Sequence, residues 1–284
     1  MARVLTGTSV AKLITEELIS RTDTLKQRGV IPSLSILRVG ERADDLAYER
    51  AALKRCETIG IKVRKFTLPA DVSQTRLLDT IAIINSDPGV HGCLMFRPLP
   101  KALDEGAACD FLNPEKDIDG ITAGSMARVY SGSGMGFAPC TAQSCMELLK
   151  YYDIDPSGKS AVVVGRSLVI GRPVSSLLLS ADATVTICHS KTQKIQEIIR
   201  KADIVVVATG RAESFGAEYF REEQIVLDVG INWSPIKMKL VGDVDFEAVK
   251  PIVAGITPVP DGIGSITTAV LCKHVIETAE MAQK

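Results

Sequence analysis

Two hydrophobic periods take turns along this chain. Over residues 10–28 apolar positions recur at helical spacing, with Ser9 as a cap and Gly29 as a stop. Residues 34–39 then read as a strand, 44–59 as a helix closed by Gly60, and 62–68 as a second strand. Ser73 caps a helix running to about Asn85, and 92–96 forms a strand that leads into the rigid turn Arg97-Pro98-Leu99-Pro100. Alternation of this kind implies β-α-β units and a parallel sheet.

A second series starts near Ser160. Residues 161–164 form a short, fully apolar strand, followed by a helix over 173–179, a strand over 184–187 and a helix over 194–201. Further strands are expected at 204–208, 225–229 and near 252–254. Strands this apolar belong in a sheet covered on both faces, so this half reads as a doubly wound nucleotide-binding domain. A helix over 141–151 bridges the two series. A last helix over 265–284 is expected to return to the first domain.

Composition narrows the function. The 284 residues carry 33 Lys+Arg against 34 Asp+Glu, a formal net charge of −1, which argues against nucleic acid or an anionic membrane as the main partner. The length fits about two domains. No run of about 18 apolar residues occurs, and the first 18 positions lack the pattern of a signal peptide. Seven cysteines, none in a C-x-x-C pair, read as buried thiols of a cytoplasmic protein. Three histidines far apart in sequence give little support to a metal site.

The first turn of the second series carries candidate chemistry. Strand Val162-Val163-Val164 runs into Gly165-Arg166-Ser167 and then Gly171-Arg172-Pro173 before a helix. Glycines here let backbone approach a phosphate and aim the helix N-terminus at it, although neither G-x-G-x-x-G nor a P-loop is present. At the next strand end, Ile187-Cys188-His189-Ser190-Lys191-Thr192 lacks the carboxylate that holds the ribose of NAD. A ribose phosphate suits Arg166, Ser190 and Lys191 instead, which points to NADP. His189 reads as a packed histidine rather than a catalytic one.

These segments, with those that follow, resemble the methylenetetrahydrofolate dehydrogenase/cyclohydrolase family along essentially the whole chain. The matching motifs are VVVGRSLVIGRP (162–173), ATVTICHSKT (183–192), ADIVVVATG (202–210), DVGIN (228–232), GDVDF (242–246), ITPVP (256–260), KDIDG (116–120) and PCT (139–141). The resemblance implies two α/β domains flanking a cleft, the second a Rossmann-type doubly wound parallel sheet. Residues 1–139 and 266–284 would form the folate-binding catalytic domain and 140–265 the NADP-binding domain. It implies a homodimer with tetrahydrofolate derivatives as substrates. Hydride transfer to the nicotinamide would be followed by hydrolysis of the methenyl product to formyltetrahydrofolate. By position, Gly165, Arg166, Ser167, Gly171, Pro173, Ser190 and Ile231 would bind the cofactor. Tyr48 and Asp119 would be catalytic and substrate-binding, with Phe96, Pro258, Asp261 and Gly262 completing the folate site.

The chain departs from the family in that folate site. Tyr48 is in place, but the catalytic lysine four residues on is Ala52. The glutamine before Leu-Pro-Leu-Pro is Phe96, and the leucine is Arg97. The proline after Pro-Cys-Thr is Ala142, and PGGVGPMT reads Pro260-Asp261-Gly262-Ile263-Gly264-Ser265-Ile266-Thr267. Lys54 lies about 200° around the helix from Ala52 and points elsewhere. Arg55 or Arg97 would restore charge, but arginine does not cycle a proton near neutral pH. Asp261 is either a turn aspartate or a carboxylate that serves the cationic folate or the pterin. Hydride transfer needs positioning, whereas opening the methenyl ring needs activated water and proton movement. The expectation is NADP-dependent dehydrogenation with weak or absent cyclohydrolase activity. The alternatives are the full bifunctional enzyme, a non-catalytic folate- or nucleotide-binding protein, and a dehydrogenase for another small substrate.

Overall fold

Short apolar runs bounded by turn residues become strands, and the longer periodic runs between them become helices. In a computed structural model that describes residues 2–283, the chain begins β1 (Arg3–Val4), α1 (Gly7–Gln27), β2 (Ser33–Val39), α2 (Ala43–Ile59), β3 (Lys62–Leu68), α3 (Gln74–Ser86) and β4 (Gly92–Met95). It continues through α4 (Glu105–Phe111), α5 (Ala123–Ser131), α6 (Cys140–Tyr151), β5 (Ser160–Val164), α7 (Gly171–Ser180), β6 (Thr184–Cys188), α8 (Ile195–Lys201) and β7 (Ile204–Val207). The last elements are β8 (Ile225–Asp228), β9 (Asn232–Ser234), β10 (Lys239–Val241), α9 (Phe246–Val249), β11 (Gly255–Ile256) and α10 (Thr267–Met281). Met1 and Lys284 lie outside the described residues, and the last helix, expected to run on toward Lys284, gives way to a turn at Ala282 and Gln283. Among the described residues no helix is long and apolar enough to cross a membrane.

The chain divides into two compact units, Met1–Lys12 with Thr141–Thr267, and Leu13–Cys140 with Thr268–Lys284. The first unit holds a sheet of order β1-β11-β8-β7-β5-β6, with parallel pairing throughout. Its core joins Val162, Val164, Val205, Val207 and Val226 to Phe215 and Phe220. From β5 the chain steps outward to β6 and then returns to β7 on the other side. The C-terminal ends of β5 and β7 therefore flank a topological switch point, where open α/β sheets bind ligands. An antiparallel pair, β9 and β10, lies outside this sheet.

The second unit is built on a parallel sheet of order β3-β2-β4. All seven residues of the central β2 are buried, Ser33, Ser35 and Arg38 among them, so the strand is covered on both faces. Leu37, Leu77, Ile81, Ile84 and Val90 meet in its core. Ser73 caps α3 as expected, accepting from the Arg76 N–H at 3.3 Å, and Gly60 closes α2 at φ 86°. The last helix returns to this unit, where Arg21 grips Glu280 through two bonds of 2.9 and 2.7 Å.

Two expectations are corrected, the Ser9 cap and the strand near 252–254. Ser9 is not a cap, because α1 starts at Gly7. The chain is pinned there by the Gly7 N–H bond to the Asp261 carbonyl at 2.7 Å. Residues 1–12 cluster with the unit of the six-stranded sheet, where Arg3–Val4 pair with Gly255–Ile256. The strand expected near 252–254 is Gly255–Ile256, since Ala254 and Gly255 both donate to the Gln224 carbonyl and only then does pairing start. The β9–β10 pair was not expected at all.

The KDIDG segment is largely architectural. The Lys116 ammonium donates to the carbonyls of Ile84, Asn85 and Asp87 at 2.7, 2.9 and 2.6 Å, which satisfies the C-terminal end of α3. The buried Asp117 carboxylate accepts the N–H groups of Ile121 and Thr122 at 3.0 and 2.7 Å. At Gly120, φ 67°, a Cβ would stand 2.5 Å from the Pro139 nitrogen. Lys116→Met would leave three carbonyls unpaired and is expected to cost about 2–3 kcal/mol. Urea denaturation reads this as a lower midpoint, and an unchanged midpoint would contradict it.

Candidate functional site

The loop after β5 folds onto the loop after β7. At Gly165, φ 133°, a Cβ would stand 2.3 Å from the Ala208 carbonyl oxygen. At Gly171 it would meet the Gly165 oxygen at 2.3 Å and the Arg166 nitrogen at 2.8 Å. The two glycines thus leave a backbone cradle that any side chain would fill. Ser167 Oγ accepts the Ile170 N–H at 3.1 Å, which shapes the start of α7, and Pro173 is buried in the first turn of that helix. Arg166 is exposed and makes no ion pair among the described residues. Ser190, exposed after β6, lies in a turn closed by the His189 N–H bond to Thr192 Oγ1 at 2.8 Å. His189 Nδ1 accepts the Lys191 N–H at 3.2 Å, so this half-buried ring serves the turn.

Two buried carboxylates shape the next loops. Asp243 accepts from the Thr209, Gly210 and Arg211 N–H groups after β7 and from Asn232 Nδ2. Asp228 accepts from Gly230, Asp243 and Val244 at 3.0, 3.0 and 2.9 Å. Burial pushes the Asp228 carboxyl up to about 7, against the pull of those three donors. Gly230 and Gly242 are required here, because a Cβ at either would strike the neighbouring carboxylate at 2.2 or 1.8 Å.

The pocket beside Asp228 gathers Ile231, Pro258, Asp261 and Gly262. Ile231 is 60% exposed. This pocket unites one expected cofactor residue with three expected folate residues. Asp261 is exposed and holds φ 74°.

In the second unit Tyr48 and Phe96 meet edge to face, with ring centroids 6.0 Å apart. Ala52, one turn after Tyr48, is 0% exposed. Cys56, a turn further, has its Sγ 3.7 Å from that of Cys272. Glu49 is buried between Arg38 and Lys65, both 2.8 Å away. Burial pushes its carboxyl up, but Lys65 and Arg38 outweigh that and hold it below its ordinary value. This network anchors α2, and hence Tyr48, to β2 and β3. Asp119 is half-buried and accepts the Cys140 N–H at 3.3 Å. Burial, and to a lesser degree Asp117, push its carboxyl above the usual range.

Comparison with known proteins accounts for both units. Residues 5–119 match the catalytic domain of tetrahydrofolate dehydrogenase/cyclohydrolase, and 139–283 match its NAD(P)-binding domain. The chain belongs to the tetrahydrofolate dehydrogenase/cyclohydrolase family. It is 49% identical to the bifunctional protein FolD of Carboxydothermus hydrogenoformans over 99% of this chain and 98% of that one. The crystal structure of the bifunctional enzyme FolD from Campylobacter jejuni is 37% identical, with a TM-score of 0.96 over 99% of each chain. A Trypanosoma brucei methylenetetrahydrofolate dehydrogenase-cyclohydrolase, solved with NADP cofactor and an inhibitor, is 34% identical. Its TM-score is 0.93 over 100% of this chain and 99% of that one.

Within this family frame, the cations weighed as substitutes for the lysine are committed elsewhere or turned away. Arg55 donates to Thr15 Oγ1 at 2.8 Å and to Thr268 Oγ1 at 3.4 Å. Arg97 faces Glu105 at 3.7 Å, and Lys54 is exposed. Sequence reading passed over Glu49, Asp228 and Asp243. The two aspartates stand in the DVGIN and GDVDF motifs, which carried a signal of importance without one of role. The cradle predicts that Gly165→Ala weakens nicotinamide dinucleotide binding by at least about tenfold, because its Cβ would displace backbone. Titration of the nucleotide checks this, and an unchanged dissociation constant would contradict it.

Proposed function

We propose that this protein oxidises methylenetetrahydrofolate to methenyltetrahydrofolate with NADP as the hydride acceptor, and that its cyclohydrolase step is weak or absent. The observation that carries the second part is Ala52, fully buried and without a polar atom, beside a Tyr48 that packs on Phe96 rather than on an amide.

Bound NADP supplies a nicotinamide that accepts hydride. The chain's part in that step is positional. Gly165 and Gly171 admit the pyrophosphate to the backbone at the start of α7, and Pro173 fixes that turn. Arg166, Ser167 and Ser190 hold the ribose phosphate, and Ile231 packs against the nicotinamide. Tyr48 and Phe96 flank the folate ring, and Asp119 accepts paired N–H donors of the pterin. Pro258, Asp261 and Gly262 line the pocket beside Ile231. Hydrolysis of the methenyl product asks more, namely a group that activates water and one that steadies the tetrahedral adduct. Ala52 and Phe96 offer neither. A separate hydrolase would then consume the methenyl product. We further propose a cytoplasmic homodimer.

The full bifunctional reading is favoured by relatives at 49% and 46% identity that bear the name bifunctional protein FolD. One progress curve separates the two readings. With methylenetetrahydrofolate and NADP supplied, NADPH and the methenyl species are expected to accumulate one for one. Formyltetrahydrofolate rising in step with NADPH would establish the bifunctional enzyme instead.

A further inference from the structure

The loop at Asp261 holds a carboxyl side chain in a conformation that costs energy. Asp261 has φ 74°, in the left-handed region, where a residue with a Cβ pays about 1 kcal/mol that glycine avoids. The family pattern has glycine there. The loop is also clamped. Gly7 N–H donates to the Asp261 carbonyl at 2.7 Å, and a Cβ on Gly7 would stand 2.0 Å from the Gly262 oxygen. At Gly262 a Cβ would stand 2.3 Å from the Pro258 oxygen. The backbone that carries the carboxylate is therefore fixed before any ligand arrives.

The ordinary use of an aspartate in a turn is to accept a backbone N–H two residues on. Asp261 makes no such bond, and its carboxylate has no hydrogen bond or ion pair among the described residues. It lines the pocket it shares with Ile231, Pro258 and Gly262, at the C-terminal ends of β8 and β11. A strained, preorganised and unpaired anion at the ligand-binding edge of a parallel sheet is a group waiting for a cation.

We propose that Asp261 is the counter-ion of the cationic methenyl product. This rests on the dehydrogenase reading above. In that reaction the C–H bond of the methylene carbon breaks and its electron pair leaves with the hydrogen to the nicotinamide. A nitrogen lone pair closes a C–N π bond, the folate carbon is oxidised, and the nicotinamide is reduced. The folate ring goes from neutral to a charge of +1 shared over two nitrogens and the carbon between them. A carboxylate fixed in place interacts with the product and with the transition state leading to it more than with the neutral substrate, which is what accelerates a chemical step. The same charge makes the site hold its product in the unhydrolysed form.

Equilibrium binding without nucleotide tests this. Methenyltetrahydrofolate and tetrahydrofolate differ in ring charge, and each is titrated into the wild type, Asp261→Asn and Asp261→Gly. Both variants are expected to bind methenyltetrahydrofolate about tenfold more weakly, while tetrahydrofolate affinity stays within about twofold. The methenyl affinity of the wild type is expected to fall with added salt more steeply than that of Asp261→Asn. Asp261→Gly suits the left-handed φ, so its loss cannot be assigned to a damaged turn. Equal losses for both ligands, or no loss for either, would overturn the counter-ion role and leave the dehydrogenase reading standing. Failure of the wild type to bind either folate would overturn both.

Discussion

Two carboxylates buried under backbone amides hold the loops on which this chain's ligand chemistry rests. Asp243 gathers the amides of residues 209–211, and Asp228 gathers those of 230, 243 and 244. A buried carboxylate without donors would be costly, and amides without acceptors equally so, so each solves the other's problem. Glycine is required at 230 and 242 because the carboxylates occupy the space a Cβ would take. The loop after β7 is thereby held, and Gly165 packs against Ala208 at the start of that loop. The pocket with Ile231 and Asp261 is built from the next loops along the same sheet edge.

The main periodic elements were legible because their burial is simple. Helices such as α2 and α3 and strands such as β3 and β5 have apolar patterns of one period and turn residues at their ends. β1 and β11 have two residues each, too few for any period. β1 belongs to the six-stranded sheet through its pairing with β11, at the far end of the chain. The β9–β10 pair escaped notice because its strands are three residues long and much of its apolar surface, including Trp233 and Leu240, faces solvent.

The candidate site was legible to different depths. Gly165 and Gly171 stand out after an apolar strand, where a tight turn and a phosphate cradle would each call for glycine. Tyr48, Phe96 and Asp119 came through resemblance alone, and their surroundings were invisible. Charge type does not reveal whether a lysine caps a helix, as Lys116 does, or whether an arginine is tied to threonines, as Arg55 is. The departures were read from single positions, yet their meaning is spatial. Ala52 matters because it is buried, and Phe96 because its neighbour is Tyr48.

The central claim is that the folate-binding unit retains the means to position a folate but not to activate water. Hydride transfer depends on alignment, and hydrolysis on proton movement at fixed polar groups. In the proposed reading, losing the lysine and the glutamine affects the two steps unequally. The most direct measurement supplies methenyltetrahydrofolate alone, without nucleotide, and follows its decay with and without the enzyme. The account predicts the same rate as in buffer, or slower because bound product is sheltered. An enzyme-dependent acceleration that saturates with substrate would contradict it.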